Sequence, residues 1–254
     1  MKFLVIGETC VDRFVYGEVK RMSPEAPVPI LTPQNINENK GMSGNVVENL
    51  SFLYDDIKIV HWSQKQPITK TRYVEKKSNH MFIRFDEETI PCDRFQGINE
   101  ETKKVIRESD VVLISDYDKG FLTDEDIIGI SKESNLCILD SKKSLNYKTV
   151  EFIDFVKLNH SEYLNNKELC DSYPDKFIIT KSEDGVVYDG NIFKSPNPQQ
   201  TIDVSGAGDT FVSVFSLKYF LTKDIRESIE YSNIVCADVV NKKGVALPDK
   251  KFKL

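Results

Sequence analysis

The residues best suited to chemistry lie together in the stretch Asp203 to Phe211, DVSGAGDTF. Gly206 and Gly208 let the backbone turn sharply and approach a ligand with no Cβ in the way. A helix beginning near Ala207 aims its unpaired N–H groups at one spot, and its dipole makes that spot suit an anion. Asp209 then stands in the first turn, a carboxylate beside an anion hole, where the helix N-terminus favours its ionised form. That pairing suits phosphoryl transfer: the amides hold charge that develops on the moving group, and the carboxylate accepts a proton from the attacking hydroxyl. GAGD alone also reads as a strand-to-helix turn with Asp209 as a dipole-favoured surface acid.

Other polar runs fall where strands should end. They are Ser115 to Gly120, Lys157 to Glu162 and Thr180 to Gly185. Asn159 and Glu162, three apart, could face a magnesium ion through its waters, since that ion keeps much of its hydration and uses few carboxylates. Each run alone reads as a solvated loop; at successive strand ends of one chain they favour a site. Asp12 follows the first strand and could accept hydrogen bonds from sugar hydroxyls, or be a turn acid. Gly44 allows close approach and Asn45 offers both donor and acceptor. The same turn equally reads as a helix N-terminus capped by Ser43.

These residues need a scaffold. Phe3-Leu4-Val5-Ile6 reads as a buried strand ending at Gly7, as in a parallel sheet. Further strands are predicted at 111–115, 136–140, 152–158 and 177–180, with a hairpin across Asp189-Gly190-Asn191. Helices are predicted from the Gly41-Met42-Ser43-Gly44-Asn45 turn through about Tyr54, over 98–108, from Thr123 to Ser134 with a capping box to Asp126, and over 207–221 and 224–241. Strands alternating with helices imply an α/β fold, a mostly parallel sheet with helices on both faces. Residues 13–36 carry prolines that exclude a helix, and residues 69–86 hold two β-rich runs around Lys77-Ser78-Asn79. Together they should form a small β lid over the ligand edge. Repeats and linkers are not evident, so residues 1–254 read as one domain. Phe14, Val15, Tyr16, Val28 and Ile30 should give the lid an apolar outer face that joins a homodimer.

The chain has 254 residues with a formal net charge of -6, which argues against nucleic acid or an anionic membrane as partner. Its five cysteines are widely spaced with no CxxC, which fits reduced thiols and a cytoplasmic location. The histidines have no metal-ligand spacing. The N-terminal apolar run is too short for a signal peptide, and no run approaches a membrane span.

These runs, in this order, resemble the ribokinase-like carbohydrate kinase family, and DVSGAGDTF is similar to its C-terminal signature. Within the family the likeness is greatest to the heptose 7-phosphate kinases, through GETCVDRFVYGEVKRMSPEAPVPIL, TKTRY, FIRFDEE, SDYDKGFLT and KLNHSE. The resemblance implies a ribokinase-like fold and an ATP- and Mg2+-dependent kinase acting on the anomeric hydroxyl of a sugar phosphate. It implies Asp209 as the base, with the amides of Gly206, Ala207 and Gly208 as the anion hole. It places Asn159, His160, Ser161, Glu162, Thr180, Lys181 and Gly185 at the nucleotide, with Glu162 near the metal through water. Asp12, Gly41, Gly44 and Asn45 match sugar ligands, and Arg72, Arg84 and Lys119 are the candidate cations for the sugar phosphate. Glu8 stands where the family has Asp, and Gly-Met-Ser-Gly-Asn replaces Gly-Gly-Ala-Ala-Asn. Between His61 and Thr69 a helix and strand usual in the family are missing, which bears on the substrate more than on the chemistry.

Overall fold

The computed structural model describes residues 1–87, 92–196 and 201–254. Glu88 of the FIRFDEE run and Gln199-Gln200 before the GAGD stretch lie outside the described residues. In chain order the first half holds β1 (Lys2–Gly7), β2 (Thr9–Met22), β3 (Pro29–Met42), α1 (Ser43–Leu53), β4 (Lys58–Trp62), β5 (Ile68–Glu75), β6 (Met81–Glu87), α2 (Glu100–Arg107) and β7 (Val111–Asp116). The second half holds α3 (Asp124–Glu133), β8 (Cys137–Ser141), α4 (Tyr147–Val150), β9 (Phe155–Asn159), α5 (His160–Asn165), α6 (Lys167–Ser172), β10 (Phe177–Thr180), β11 (Val186–Tyr188), β12 (Asn191–Phe193), α7 (Ala207–Thr222) and α8 (Ile225–Val239).

The main sheet has eight strands in the order β12-β11-β10-β9-β8-β7-β1-β4. From β4 to β10 all neighbours are parallel; β11 and β12 add an antiparallel edge. Residues Phe3 to Ile6 of β1 are fully buried because both faces are covered. Successive side chains point to opposite faces of the strand. Phe3 and Val5 therefore join the core under α1, α7 and α8, with Leu50, Phe215 and Ile229. Leu4 and Ile6 join the core under α2, α3 and α4, with Ile106, Ile127 and Val150. The α/β reading holds on both faces.

Several boundaries differ from the sequence expectation. The strand expected over 152–158 is Phe155–Asn159, because the Asp154 carboxylate accepts from the Cys137 N–H at 2.8 Å and pins the chain just before it enters the sheet. The edge strand β4 was not foreseen; KIVHW is only half-buried and pairs with β1 alone, so its pattern is weak. The helices α5 and α6 were also missed, as each is only six residues long.

A separate four-stranded sheet, ordered β3-β2-β5-β6, forms the lid. It is longer than expected, because the β2–β3 ladder runs, across two register shifts, from the hairpin to Thr9↔Met42. Pro33 sits opposite Gly17 where the register shifts, the kind of place where a strand tolerates a proline. Gly41 thus lies in a strand, and α1 starts at Ser43 with Met42 as its N-cap at φ 57. Ser43 is not the cap: its hydroxyl donates to the Gly7 carbonyl at 2.9 Å. The lid's root, Cys10, Met42 and Ile68, packs against Tyr117, just past the carboxyl end of β7. Its far side reaches the loop after α8, where a Cβ on Gly244 would lie 3.6 Å from the Phe14 ring. The lid therefore spans the ligand edge.

The expected outer face is corrected in part. Phe14 and Tyr16 share the inner face with Asp12, and Phe14 is buried under the Arg72 guanidinium. The exposed apolar residues of the outer face are Ile36, Tyr73, Ile83 and Phe85, in register around buried Val15.

Candidate active site

The GAGD turn builds the N-terminus of α7. Gly206 is its N-cap at φ 78, a conformation that favours glycine, and a Cβ there would stand 2.7 Å from the Asn45 amide nitrogen. Thr210 makes the first intrahelical bond, to the Gly206 carbonyl at 2.9 Å. The Gly208 and Asp209 amides precede it, as the first amides of any helix do. Ala207 departs from expectation: its N–H is spent in the turn, donating to the Val204 carbonyl at 3.2 Å.

Asp209 is buried, not a surface acid, at 3% exposure. Its Oδ1 accepts from the Tyr117 hydroxyl at 2.7 Å and its Oδ2 from the Asn45 amide at 3.0 Å. Asn45 is held in turn, since its Oδ1 accepts from the Asn49 amide at 3.0 Å. Burial pushes the Asp209 pKa up to about 6, with the Tyr117 and Asn45 hydrogen bonds and the Lys157 ammonium working against it. The expected helix-terminus effect is thus outweighed by loss of water, because a buried carboxylate loses more solvation than a dipole returns. At neutral pH the group is still mostly ionised and able to accept a proton.

Two lysines that sequence reasoning gave no role stand beside it. Lys157, 3% exposed in the centre of β9, pairs with Asp140 at 3.1 Å, and its Nζ lies 2.8 Å from where a Cβ on Gly208 would sit. Lys142, just past β8, pairs closely with Glu162 and lies 5.3 Å from the Tyr117 ring centroid. Burial works against its charge, but the Asp140, Glu162 and Asp209 carboxylates outweigh it and hold the ammonium above its usual value. A lysine inside an otherwise apolar parallel strand, as in Phe155-Val156-Lys157-Leu158, was the available signal. Tyr117 carried no comparable signal.

Asn159 and Glu162 form a capping box on α5. The Asn159 side chain accepts from the Glu162 N–H at 2.9 Å, and Glu162 Oε2 accepts from the Asn159 N–H at 2.7 Å. Glu162 Oε1 takes the Asn159 amide and Lys142. With both oxygens engaged, Glu162 suits a hydrated magnesium ion at one remove and not a directly bound one. Among the described residues no cluster of three or more His, Cys, Asp or Glu could hold a metal.

A cavity of about 410 Å³ runs from Asp209 along the sheet edge to α8. Asn159, Thr180, Gly185, Gly206, Ala207 and Gly208 line it, and Val186, Val204, Phe211 and Val240 give its far end an apolar wall. Its size suits a ligand of nucleotide dimensions. His160, Ser161 and Lys181 are not on its wall. His160 and Ser161 are exposed, with His160 stacked on Tyr163, and the Lys181 ammonium lies over the same ring at 5.9 Å.

On the lid side, Asp12 pairs closely with Arg72. Gly41 is needed for that packing, as a Cβ there would stand 2.2 Å from Asp12 Oδ2. Gly44 serves contact within the protein too: its Cβ would meet the Thr9 hydroxyl at 2.6 Å. Arg84 is half-exposed and pairs with Asp86 at 2.9 Å, in register beside Arg72. The Lys119 N–H donates to Glu8 at 3.0 Å. Glu8, fully buried, also accepts from the Tyr117 and Phe121 amides, so it anchors the loop below the lid. Lys70, on the lid's inner face, lies 5.6 Å from the Tyr117 ring centroid.

This fold is that of a carbohydrate kinase. The pfkB family carbohydrate kinase profile matches residues 56–251, and the chain belongs to that family. It is similar to the bifunctional protein HldE of Helicobacter pylori strain J99, 27% identical over 97% of this chain and 64% of that protein. It is likewise similar to HldE of Helicobacter hepaticus, 29% identical over 97% of this chain and 61% of that protein. The chain thus spans less than two thirds of the length of these curated relatives. The first alignment covers 296 positions against 254 residues, so at least 42 positions (296 − 254) have no counterpart here. Among solved structures, Arabidopsis thaliana ribokinase complexed with ribose and ATP superposes with TM-score 0.71 at 14% identity, covering 98% of this chain and 96% of that one. Escherichia coli phosphofructokinase-2 gives TM-score 0.69 at 14% identity over 98% and 96%. These two establish the fold alone. Among the described residues no helix is long and apolar enough to cross a membrane.

Proposed function

We propose that this sugar kinase uses ATP to phosphorylate the anomeric hydroxyl of D-glycero-D-manno-heptose 7-phosphate, giving the 1,7-bisphosphate. The observation that carries the reading is the buried Asp209 at the head of α7, facing the cavity beside the Gly208 amide. In this reading Asp209 takes the proton of the acceptor hydroxyl as the new bond to phosphorus forms. The Gly206 and Gly208 turn and the Lys157 ammonium meet the charge on the moving phosphoryl group. Asn159, Thr180 and Gly185 border the nucleotide, and the apolar end of the cavity takes its base. Magnesium, held through water near Glu162, would neutralise phosphate charge. The inner lid face, with Asp12, Lys70 and Arg72 and, near it, Asn45 and Lys119, would take the sugar phosphate. Similarity to HldE and the heptose-kinase likeness of the Ser23 to Pro29 run support this choice of sugar.

A second acceptor is favoured by one observation. Only residues 63–67 join β4 to β5, where the family usually has a further helix and strand, so another sugar or sugar phosphate could be preferred. Phosphoryl transfer from ATP should be measured across heptose 7-phosphate, ribose, fructose and fructose phosphates. Turnover should be highest with the heptose phosphate; a higher kcat/KM with another sugar replaces the substrate, and transfer to none makes this a binding protein.

The same reading includes a cytoplasmic homodimer joined through the lid. Ile36, Tyr73, Ile83 and Phe85 expose an apolar patch on a surface sheet, and such patches mark interaction sites. Light scattering at micromolar concentration should give twice the 29.1 kDa chain mass. Ile83→Lys should return the protein to that single mass; a monomeric wild type rejects the dimer.

A further inference from the structure

Each oxygen of Asp209 already accepts one hydrogen bond. Tyr117 donates to Oδ1 at 2.7 Å and Asn45 to Oδ2 at 3.0 Å. A hydroxyl that is to lose its proton to this carboxylate must approach one of those oxygens, beside its present donor or in its place. Asn45 is the poorer candidate to leave. It is 1% exposed, tied to Asn49 at 3.0 Å and set in the first turn of α1. Tyr117 is different. Its backbone is fixed by Glu8, but its side chain lines the cavity and so has volume to swing into. Two ammonium groups lie over its ring, Lys70 from the lid at 5.6 Å and Lys142 from the body at 5.3 Å. The ring therefore stands where lid, nucleotide cavity and carboxylate meet.

We propose that Tyr117 is a positioning residue for Asp209: its hydroxyl holds the carboxylate through Oδ1 and gives up that place to the acceptor hydroxyl when a sugar binds. The proposal rests on the phosphoryl-transfer reading of this site. The phenol is well matched to the task. Burial and the neighbouring Asp209 carboxylate raise its pKa well above the usual value, so it stays a donor throughout the working range. It presents an O–H to Oδ1 as an acceptor sugar would, and it keeps the carboxylate turned toward the reaction centre until one arrives. A hydrogen bond to the ionised form also favours ionisation, so Tyr117 lowers the pH at which Asp209 becomes able to accept a proton. The other ionisable groups facing Asp209 are Asp140 from β8, Lys157 from β9, Lys142 beyond β8 and Cys10 from β2.

Tyr117→Phe removes the donor and keeps the ring between the two cations. The acid limb of the kcat profile should move up by about one pH unit, the scale of one hydrogen bond to a carboxylate. The acceptor KM should fall several-fold, since no phenol competes for Oδ1. Replacing Tyr117 by 3,5-difluorotyrosine strengthens the donor and should move the limb down. A role in packing alone would lower kcat or the melting temperature and leave the limb in place. The pH dependence of thermal unfolding gives a second readout that needs no turnover. Its Asp209-dependent part, taken as the difference from Asp209→Asn, should shift up with Tyr117→Phe. An unmoved limb and an unmoved unfolding profile overturn the positioning role, and a KM that rises overturns the displacement. If the wild type phosphorylates nothing, the kinase reading falls, and the unfolding profile still decides whether Tyr117 holds Asp209.

Discussion

Asp209→Asn should lower turnover by about 10²–10⁴-fold, the range for loss of a general base. That is about 3–5 kcal/mol of barrier. A sugar hydroxyl is a poor nucleophile at neutral pH, and among the described residues no other carboxylate touches both Tyr117 and Asn45. The amide keeps the shape of the carboxylate and can still accept the Tyr117 hydrogen bond, so ATP and acceptor should bind with nearly unchanged affinity in calorimetry. Retention of most wild-type turnover would remove Asp209 from the base role.

The same substitution should alter stability in a defined direction. Asp209 is raised from the usual carboxylate value of 3.8 to about 6. Between those values the folded chain holds a proton that the unfolded chain has lost, so this group's contribution to stability falls as pH rises from about 4 to 6. Two pH units correspond to about 3 kcal/mol of cost at neutral pH. Asp209→Asn should lose that slope and melt higher than wild type at pH 7. The new amide would meet the Asn45 amide donor to donor, which returns part of the gain. Turnover in the wild type should fall for the same reason as pH drops through about 6. An acid limb that stays fixed near pH 4 would contradict the burial argument.

Lys157→Met should destabilise the fold by about 3–5 kcal/mol, because it leaves the Asp140 carboxylate charged and alone inside the sheet. Lys157 and Asp140 are 3% and 2% exposed and lie 3.1 Å apart, so water cannot replace the lost partner. The midpoint of urea unfolding reads this directly. A second variant separates charge from packing: Lys157→Met with Asp140→Leu removes both charges and should recover most of the loss, since a buried pair contributes little net stability against apolar residues of similar size. Activity should not recover with it, because the ammonium beside Gly208 is still absent. A single variant as stable as wild type would show that the pair is hydrated, and a double variant with full activity would remove Lys157 from the site.

Much of the scaffold was legible in the chain itself. Apolar runs at Phe3 to Ile6, Val111 to Ile114 and Cys137 to Leu139 marked strands covered on both faces, since only a doubly covered strand can afford no polar alternation. The glycines and Asp of GAGD marked a helix start that could meet an anion, because φ and helix-end amides are local properties. The capping boxes at Thr123 and Asp224, or in the latter case its Asp cap alone, were equally local. The lid's existence followed from its prolines and β-rich runs, and its true length did not, because a ladder's end depends on the partner strand.

What the residues around Asp209 do to one another was not legible. Asn45 and Tyr117 reach it from 164 and 92 positions away, and nothing in either local pattern names that partner. Arg72 is 60 positions from Asp12, and only their pairing across β2 and β5 shows that this cation faces a carboxylate of its own chain. The upward shift of Asp209 was likewise a property of the folded interior. A helix terminus acts over one turn and can be read from a motif, whereas desolvation is set by every segment that packs around the carboxylate. Residue type and spacing thus determined that a base could stand beside an anion hole. Tertiary packing alone decided how buried that base is, which groups hold it and which cations face it, because burial and long-range contact exist only once distant segments share one interior.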